Sequence, residues 1–99
     1  EINKAFEKFD YLISPTAPVQ PFKFGEKIDD PVTLMLLDYN TVTANLTGKP
    51  AISVPYRVIN GLPIGMQIMA NSLNEKSLFQ SAYALESKTN LPEVPLWQK

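Results

Sequence analysis

The chain has 99 residues, of which 44% are hydrophobic, so one domain built around one core is expected. It contains no cysteine and no histidine, which excludes disulfides, thiolate chemistry and the most common general base. Nine basic and ten acidic residues give a net charge of -1 without basic clusters, and no apolar run approaches the roughly 20 residues of a membrane span, so neither direct nucleic-acid binding nor membrane insertion is predicted.

The chain begins with an amphipathic pattern. It predicts a helix over residues 2–9, whose apolar residues share one face: Ile2, Phe6 and Phe9. A compact apolar run at residues 11–13 then predicts a buried strand. Because the helical spacing starts at once and the first residue is Glu1 rather than methionine, we expect a piece cut from a longer chain.

A proline-rich connector is predicted over residues 15–25, where three prolines prevent a helix: Pro15, Pro18 and Pro21. Their spacing leaves an alternative function open, that of a small binding module with an exposed PxxP segment. The apolar side chains of Phe22 and Phe24 favour packing over display, so we rank this alternative below the others.

A second helix is predicted over residues 31–46. Pro31 suits a first helical position, and Gly48 suits the left-handed stop just beyond the end. On the wheel of one continuous helix, Asp38 falls on the same side as Leu34. The sequence therefore predicts a carboxylate on the inward face of this helix.

Two runs rich in Ile, Val and Met, at residues 51–58 and 63–70, predict an antiparallel hairpin. The Asn-Gly pair at 60–61 favours a tight turn between them. Pro55 cannot donate to the ladder, so a bend is expected there, and Gly65 indicates a close approach of two backbones.

The last helix is predicted over residues 73–88, after a capping box formed by Ser72 and Glu75. An extended tail over residues 91–99, which carries Trp97, completes the chain. Residues 1–99 are therefore expected to form one continuous domain or part of one.

Self-contained catalysis is not expected from these residues. The serines have no histidine to activate them, and none stands in a Gly-x-Ser-x-Gly elbow. The acidic residues match no calcium loop, and the isolated glycines form no phosphate cradle. We therefore assign no catalytic residue, no metal site and no cofactor site to this segment.

Asp38 is the one candidate for ligand binding. In the structural interpretation, its carboxylate is satisfied locally by Asn45, Thr41 or a nearby backbone amide. In the functional interpretation, it binds a substrate ammonium, which would compensate a carboxylate placed on an apolar face. The residues alone favour the structural interpretation.

Three motifs carry a family resemblance: residues 45–55 read NLTGKPAISVP, residues 60–68 read NGLPIGMQI, and residues 9–18 read FDYLISPTAP. The chain resembles the C-terminal part of the amidase signature family. Residues 24–27 and 29–31 are similar to its branch of tRNA-dependent amidotransferases. The resemblance implies an α/β fold, in which this segment contributes helices and a hairpin to a large mixed sheet.

The resemblance also implies chemistry that lies mostly outside this segment. A Ser, cis-Ser, Lys triad upstream would release ammonia from glutamine. In this branch a partner B subunit, with ATP and magnesium, would use that ammonia to convert Glu-tRNA(Gln) to Gln-tRNA(Gln), while a small C subunit holds the assembly together. Asp38 matches the acid of this branch that receives the glutamine α-ammonium. The expected location is the cytoplasm, or an organellar matrix in a eukaryote, and a fragment of a stand-alone amidase is the alternative.

Overall fold

The computed structural model describes residues 1–17, 23 and 30–89. The expected tail at 91–99, with Trp97, and most of the connector at 15–25 lie outside these described residues. The described part contains four helices and three strands in chain order: α1 (Ile2–Lys8), β1 (Tyr11–Pro15), α2 (Pro31–Leu37), α3 (Tyr39–Thr47), β2 (Ala51–Ile59), β3 (Leu62–Ala70) and α4 (Glu75–Lys88). Among these described elements, no helix has the length and apolar character needed to cross a bilayer.

The three strands form one antiparallel sheet in the order β1-β3-β2, so β3 is its central strand. A sheet flanked by helices confirms the predicted α/β class. Pro15 is the last residue of β1 and pairs with Met66, so the connector begins inside the sheet. This pairing argues against an exposed PxxP ligand that starts at Pro15.

The predicted hairpin is confirmed as β2 and β3. Its turn residues Asn60 and Gly61 have φ angles of 53° and 77°, the left-handed pair that a two-residue hairpin loop requires. The register shifts between Pro55 and Arg57, which is the expected bend. A proline without an N–H and an Asn-Gly turn thus determine the local geometry of the hairpin.

The core lies between the sheet and α4. Its buried side chains come from both hairpin strands and from one face of α4: Val54, Ile68, Ala70, Leu78 and Ala82. Tyr11 packs against this cluster, and its hydroxyl is hydrogen-bonded to the Ser77 hydroxyl. Side chains alternate across a strand, so the neighbours of Ile68 in β3 face the other side of the sheet. On that side lies α3.

The predicted helix over 31–46 is wrong in one respect, because it is two helices. Asp38 has φ -95° and ψ 2°, outside the helical basin, and it both ends α2 and precedes α3. Its N–H donates to the Met35 carbonyl three residues back, at 3.3 Å, which tightens the last turn of α2. The predicted stop is confirmed, since Gly48 follows α3 in the left-handed region with φ 68°.

The predicted capping box is also wrong. The residue that precedes α4 is Asn74, and it makes no side-chain capping hydrogen bond. Leu73 adopts φ 64°, which turns the chain and separates Ser72 from the first helical turn. The Ser72 hydroxyl instead accepts a hydrogen bond from the ammonium of Lys49, at 3.0 Å.

Lys49 joins three parts of the described structure. Its ammonium donates to Asn71 Oδ1 at 2.8 Å and to Ser72 Oγ at 3.0 Å, and it lies 5.7 Å from the centroid of the Phe6 ring. We expect Lys49→Met to lower the free energy of unfolding of the full-length protein by about 1 kcal/mol, because charge-assisted hydrogen bonds and a cation–π contact are lost. Urea denaturation measures this loss.

The matched control for that experiment is Lys76→Met. Lys76 is an exposed lysine in the first turn of α4. Its replacement should leave the urea midpoint unchanged. Equal losses in the two variants would contradict a specific role of Lys49.

Candidate functional site

The structure places Asp38 at the junction of α2 and α3, where its side chain is exposed. The prediction that it lies on an inward helical face is wrong. That prediction assumed one continuous helix, and the break at Asp38 changes the direction of the residues around it. The carboxylate therefore faces outward from the described part of the chain.

The local interpretation of Asp38 does not hold either. The Asn45 amide donates to the Thr41 carbonyl at 3.1 Å, and the Thr41 hydroxyl donates to the backbone carbonyl of Asp38 at 3.0 Å. Both candidate partners are therefore engaged with backbone atoms. Within the described ranges, no group donates a hydrogen bond to the Asp38 carboxylate, so its acceptor sites are open.

The backbone of Asp38 is held firmly although its side chain is open. Its carbonyl accepts hydrogen bonds from the N–H groups of Thr41 and Val42, both at 3.1 Å, in addition to the Thr41 hydroxyl. These bonds build the first turn of α3 directly on Asp38. A carboxylate with a fixed backbone and open acceptor sites is suited to bind a cationic hydrogen-bond donor.

A cavity of about 510 Å³ lies beside this junction and is lined by residues of the sheet, α1, α2 and α3. Most of its lining is apolar, from residues such as Leu12, Met35 and Met69. Asp38 is not part of the lining, but Tyr39 and Asn40, which follow it, are. Asp38 is therefore next in sequence to residues that line the cavity but does not line it itself.

One polar residue that lines this cavity, Gln67, was not singled out by sequence reasoning. Its side chain is only 6% exposed. Its amide nitrogen donates to the Asn40 carbonyl at 2.8 Å and lies 3.3 Å from Ser14 Oγ. The available signal was one polar residue inside the apolar run of β3, because a buried amide requires partners.

A second polar contact crosses the same face of the sheet. The hydroxyls of Thr16 and Ser53 are hydrogen-bonded at 2.6 Å, above Gly65 in the central strand. A Cβ atom on Gly65 would lie 2.7 Å from Ser53 Oγ and 3.0 Å from Thr16 Oγ1. The close approach predicted at Gly65 is therefore present, but it is made by the side chains of Ser53 and Thr16 and not by a second backbone. No group of three or more metal-binding side chains is present among the residues whose placement is described.

The amidase resemblance is confirmed by comparison with known proteins. The sequence model of the Amidase family matches residues 1–79. The chain belongs to the amidase family. The A subunit of glutamyl-tRNA(Gln) amidotransferase from Cenarchaeum symbiosum is 55% identical over 98 residues, which cover 99% of this chain and 20% of that protein. The corresponding protein from Methanosarcina mazei is 48% identical over 91% of this chain and 19% of its own length.

Solved structures of amidase family members support the same fold. The crystal structure of the glutamyl-tRNA(Gln) amidotransferase A subunit from Thermotoga maritima superposes with a TM-score of 0.86 at 40% identity, over 93% of this chain and 20% of that one. A bacterial aryl acylamidase of the amidase signature family superposes with a TM-score of 0.60 at 23% identity, over 91% and 23%, which shows a shared fold alone. The chain thus spans about one fifth of the length of its relatives.

Proposed function

We propose that this segment is the C-terminal part of the glutaminase subunit of a glutamyl-tRNA(Gln) amidotransferase. The observation that carries the proposal is the 55% identity to an A subunit of that enzyme along 99% of the chain. The aryl acylamidase shares only 23% identity with the same stretch. The pattern of similarity thus favours the amidotransferase branch over amidases that act alone.

Within that subunit, we propose that Asp38 binds the α-ammonium of glutamine. Its carboxylate is exposed and accepts no hydrogen bond within the described part of the chain, while three donors hold its backbone carbonyl. An ammonium would satisfy the open acceptor sites and bring a compensating charge. Such a contact fixes one end of the substrate, so that the side-chain amide at the other end can be presented for attack.

The nucleophile and its base come from outside this segment in the proposed mechanism. The Lys49 ammonium donates a hydrogen bond to the Ser72 hydroxyl, but it also donates to Asn71 and lies over the Phe6 ring. These contacts give Lys49 a structural role. A Ser, cis-Ser, Lys triad in the remainder of the chain would attack the glutamine amide and release ammonia. The segment alone would therefore line the pocket and show no glutaminase activity.

The proposed partners of this segment are the remainder of its amidase domain and the other subunits of the amidotransferase. The remainder of the amidase domain would cover the faces of the sheet and helices that are exposed here. The B subunit would bind ATP and magnesium and use the ammonia on Glu-tRNA(Gln), and the C subunit would hold the two together. This segment itself would bind neither cofactor nor tRNA. The complex would act in the cytoplasm, or in an organellar matrix in a eukaryote.

Reconstitution tests this function. The full-length protein is mixed with glutamine and Glu-tRNA(Gln), with and without the B and C subunits and ATP. Formation of Gln-tRNA(Gln) should require the complete mixture, and ammonia should come from glutamine. Rapid release of ammonia from an aryl amide, with no transfer to tRNA under any condition, would assign the protein to the stand-alone amidases instead.

A further inference from the structure

We propose that Gln67 is a positioning residue for the glutamine site: it holds the first turn of α3, and with it the Asp38 carboxylate, against the centre of the sheet. The inference rests on the proposed role of Asp38 in binding the α-ammonium. In this inference Gln67, a residue of β3, does not contact the substrate itself and acts by holding α3 in position. Three features of the structure carry it, namely burial, hydrogen bonding and the break before α3.

Burial comes first. Gln67 lies in the middle of β3 and pairs with Ser14 on one side and Ser53 on the other. At 6% exposure, it is the only buried polar or charged residue in the part of the chain that the structure describes. A buried amide without partners destabilises a protein by several kcal/mol in apolar surroundings. Its place in the central strand therefore requires specific hydrogen bonds.

The hydrogen bonding of Gln67 is directional. Its amide nitrogen lies 2.8 Å from the Asn40 carbonyl, which can only accept, so the nitrogen and oxygen of the amide are assigned without ambiguity. Ser14 Oγ is a second and longer partner at 3.3 Å. Among the described residues, the bond to Asn40 is the only hydrogen bond that joins α3 to the sheet.

Because the chain breaks before α3, the position of α3 depends on the hydrogen bond from Gln67 to Asn40. A continuous helix would transmit the position of α2 to α3, but the chain leaves the helical basin at Asp38. Asn40 lies two residues further on, in the same turn that is built on the Asp38 carbonyl through the N–H groups of Thr41 and Val42. The Asn40 carbonyl and the Asp38 side chain therefore move together. Displacements near 1 Å are enough to weaken the binding of a substrate group.

The test uses the full-length protein and its glutaminase reaction. Gln67→Met keeps the length of the side chain and removes the donor, so the KM for glutamine should rise about tenfold with little change in kcat. Gln67→His should recover most of the loss, because its Nε2 lies about as far from the backbone as the glutamine amide nitrogen. Gln67→Asn, too short to reach Asn40, serves as the loss variant if Gln67→Met does not fold. Gln80→Met, at an exposed glutamine of α4, is the matched control and should match the wild type.

A double-mutant cycle separates positioning from a structural effect. In an Asp38→Ala background, Gln67→Met should change the KM by less than twofold, since the group it positions is already gone. Two outcomes would overturn the inference about Gln67 while leaving the ammonium site in place. In one, the KM increases of the two single variants multiply fully in the double variant. In the other, Gln67→Met leaves the KM unchanged while Asp38→Ala raises it. An unchanged KM in Asp38→Ala would instead overturn the proposed ammonium site, whatever the Gln67 variants show.

Discussion

Replacing Asp38 by alanine in the full-length protein should raise the KM for glutamine about ten- to hundredfold. A hydrogen bond to a charged group contributes about 1.5–3 kcal/mol, and each 1.4 kcal/mol corresponds to a factor of about ten. The turnover number should change much less, because the α-ammonium is remote from the amide that reacts and is bound equally in the ground and transition states. Steady-state kinetics of ammonia release measures both constants.

Structural damage would not account for such an effect, because the Asp38 side chain makes no hydrogen bond within the described ranges and is exposed there. The hydrogen bonds that begin α3 use the backbone carbonyl of Asp38, which alanine retains. The thermal midpoint should therefore stay close to that of the wild type. Asp38→Asn keeps the shape without the charge and should lose nearly as much affinity as Asp38→Ala.

Two controls define the origin of the loss. Glu86→Ala removes another exposed acid, on α4 at the opposite face of the sheet, and should leave the KM unchanged. The analogue of glutamine that lacks the α-amino group should bind the wild type and Asp38→Ala equally weakly. If Asp38→Ala weakened this analogue as much as glutamine, the carboxylate would not be the ammonium site.

Local signals are sufficient to predict most of the elements. The Asn-Gly turn at 60–61, the stop at Gly48 and the bend at Pro55 each follow from backbone constraints on a single residue type. Such constraints act over a few residues and do not depend on the remainder of the fold. The hairpin and the helix ends near glycine are therefore predictable to within about two residues.

The break at Asp38 could not be predicted in this way, because residues 36–40 contain neither glycine nor proline. The break separates α2 from α3, and the bond from Gln67 to the Asn40 carbonyl joins residues 27 positions apart. The failed capping box has a similar cause. The Ser72 hydroxyl is a partner of Lys49, 23 positions away, instead of capping α4. In both places, a hydrogen bond joins the segment to a distant part of the chain, and patterns over a few residues do not contain that information.

The candidate site illustrates the same difference between local and long-range information. The identity of Asp38 as a candidate came from its residue type and a family motif, whereas its exposure and its open acceptor sites came from the structure. Gln67 is part of a motif that was recognised, but its role depends on which carbonyl its amide meets. The sequence identifies the functional side chain, but its hydrogen-bond partner depends on how elements that are distant in the chain pack together.

Gly65→Ala should destabilise the full-length protein by about 1–2 kcal/mol. The added Cβ would lie 2.7 Å from Ser53 Oγ, closer than real Cβ atoms come, and 3.0 Å from Thr16 Oγ1, so at least the Ser53 hydroxyl must move. Relief requires breaking the Thr16–Ser53 hydrogen bond or separating strands in the sheet, and overpacking of this kind costs about 1–3 kcal/mol. Urea denaturation of the full-length protein measures the loss.

A double-mutant cycle identifies the cause of that loss. Ser53→Ala removes the closer oxygen, so Gly65→Ala should cost about 1 kcal/mol less in that background than in the wild type. The sheet carries the hydroxyl pair on the same face as Gln67, so a strand shift at Gly65 should also raise the KM for glutamine. Equal costs in the two backgrounds would mean that the strands, and not the hydroxyl pair, resist the methyl group.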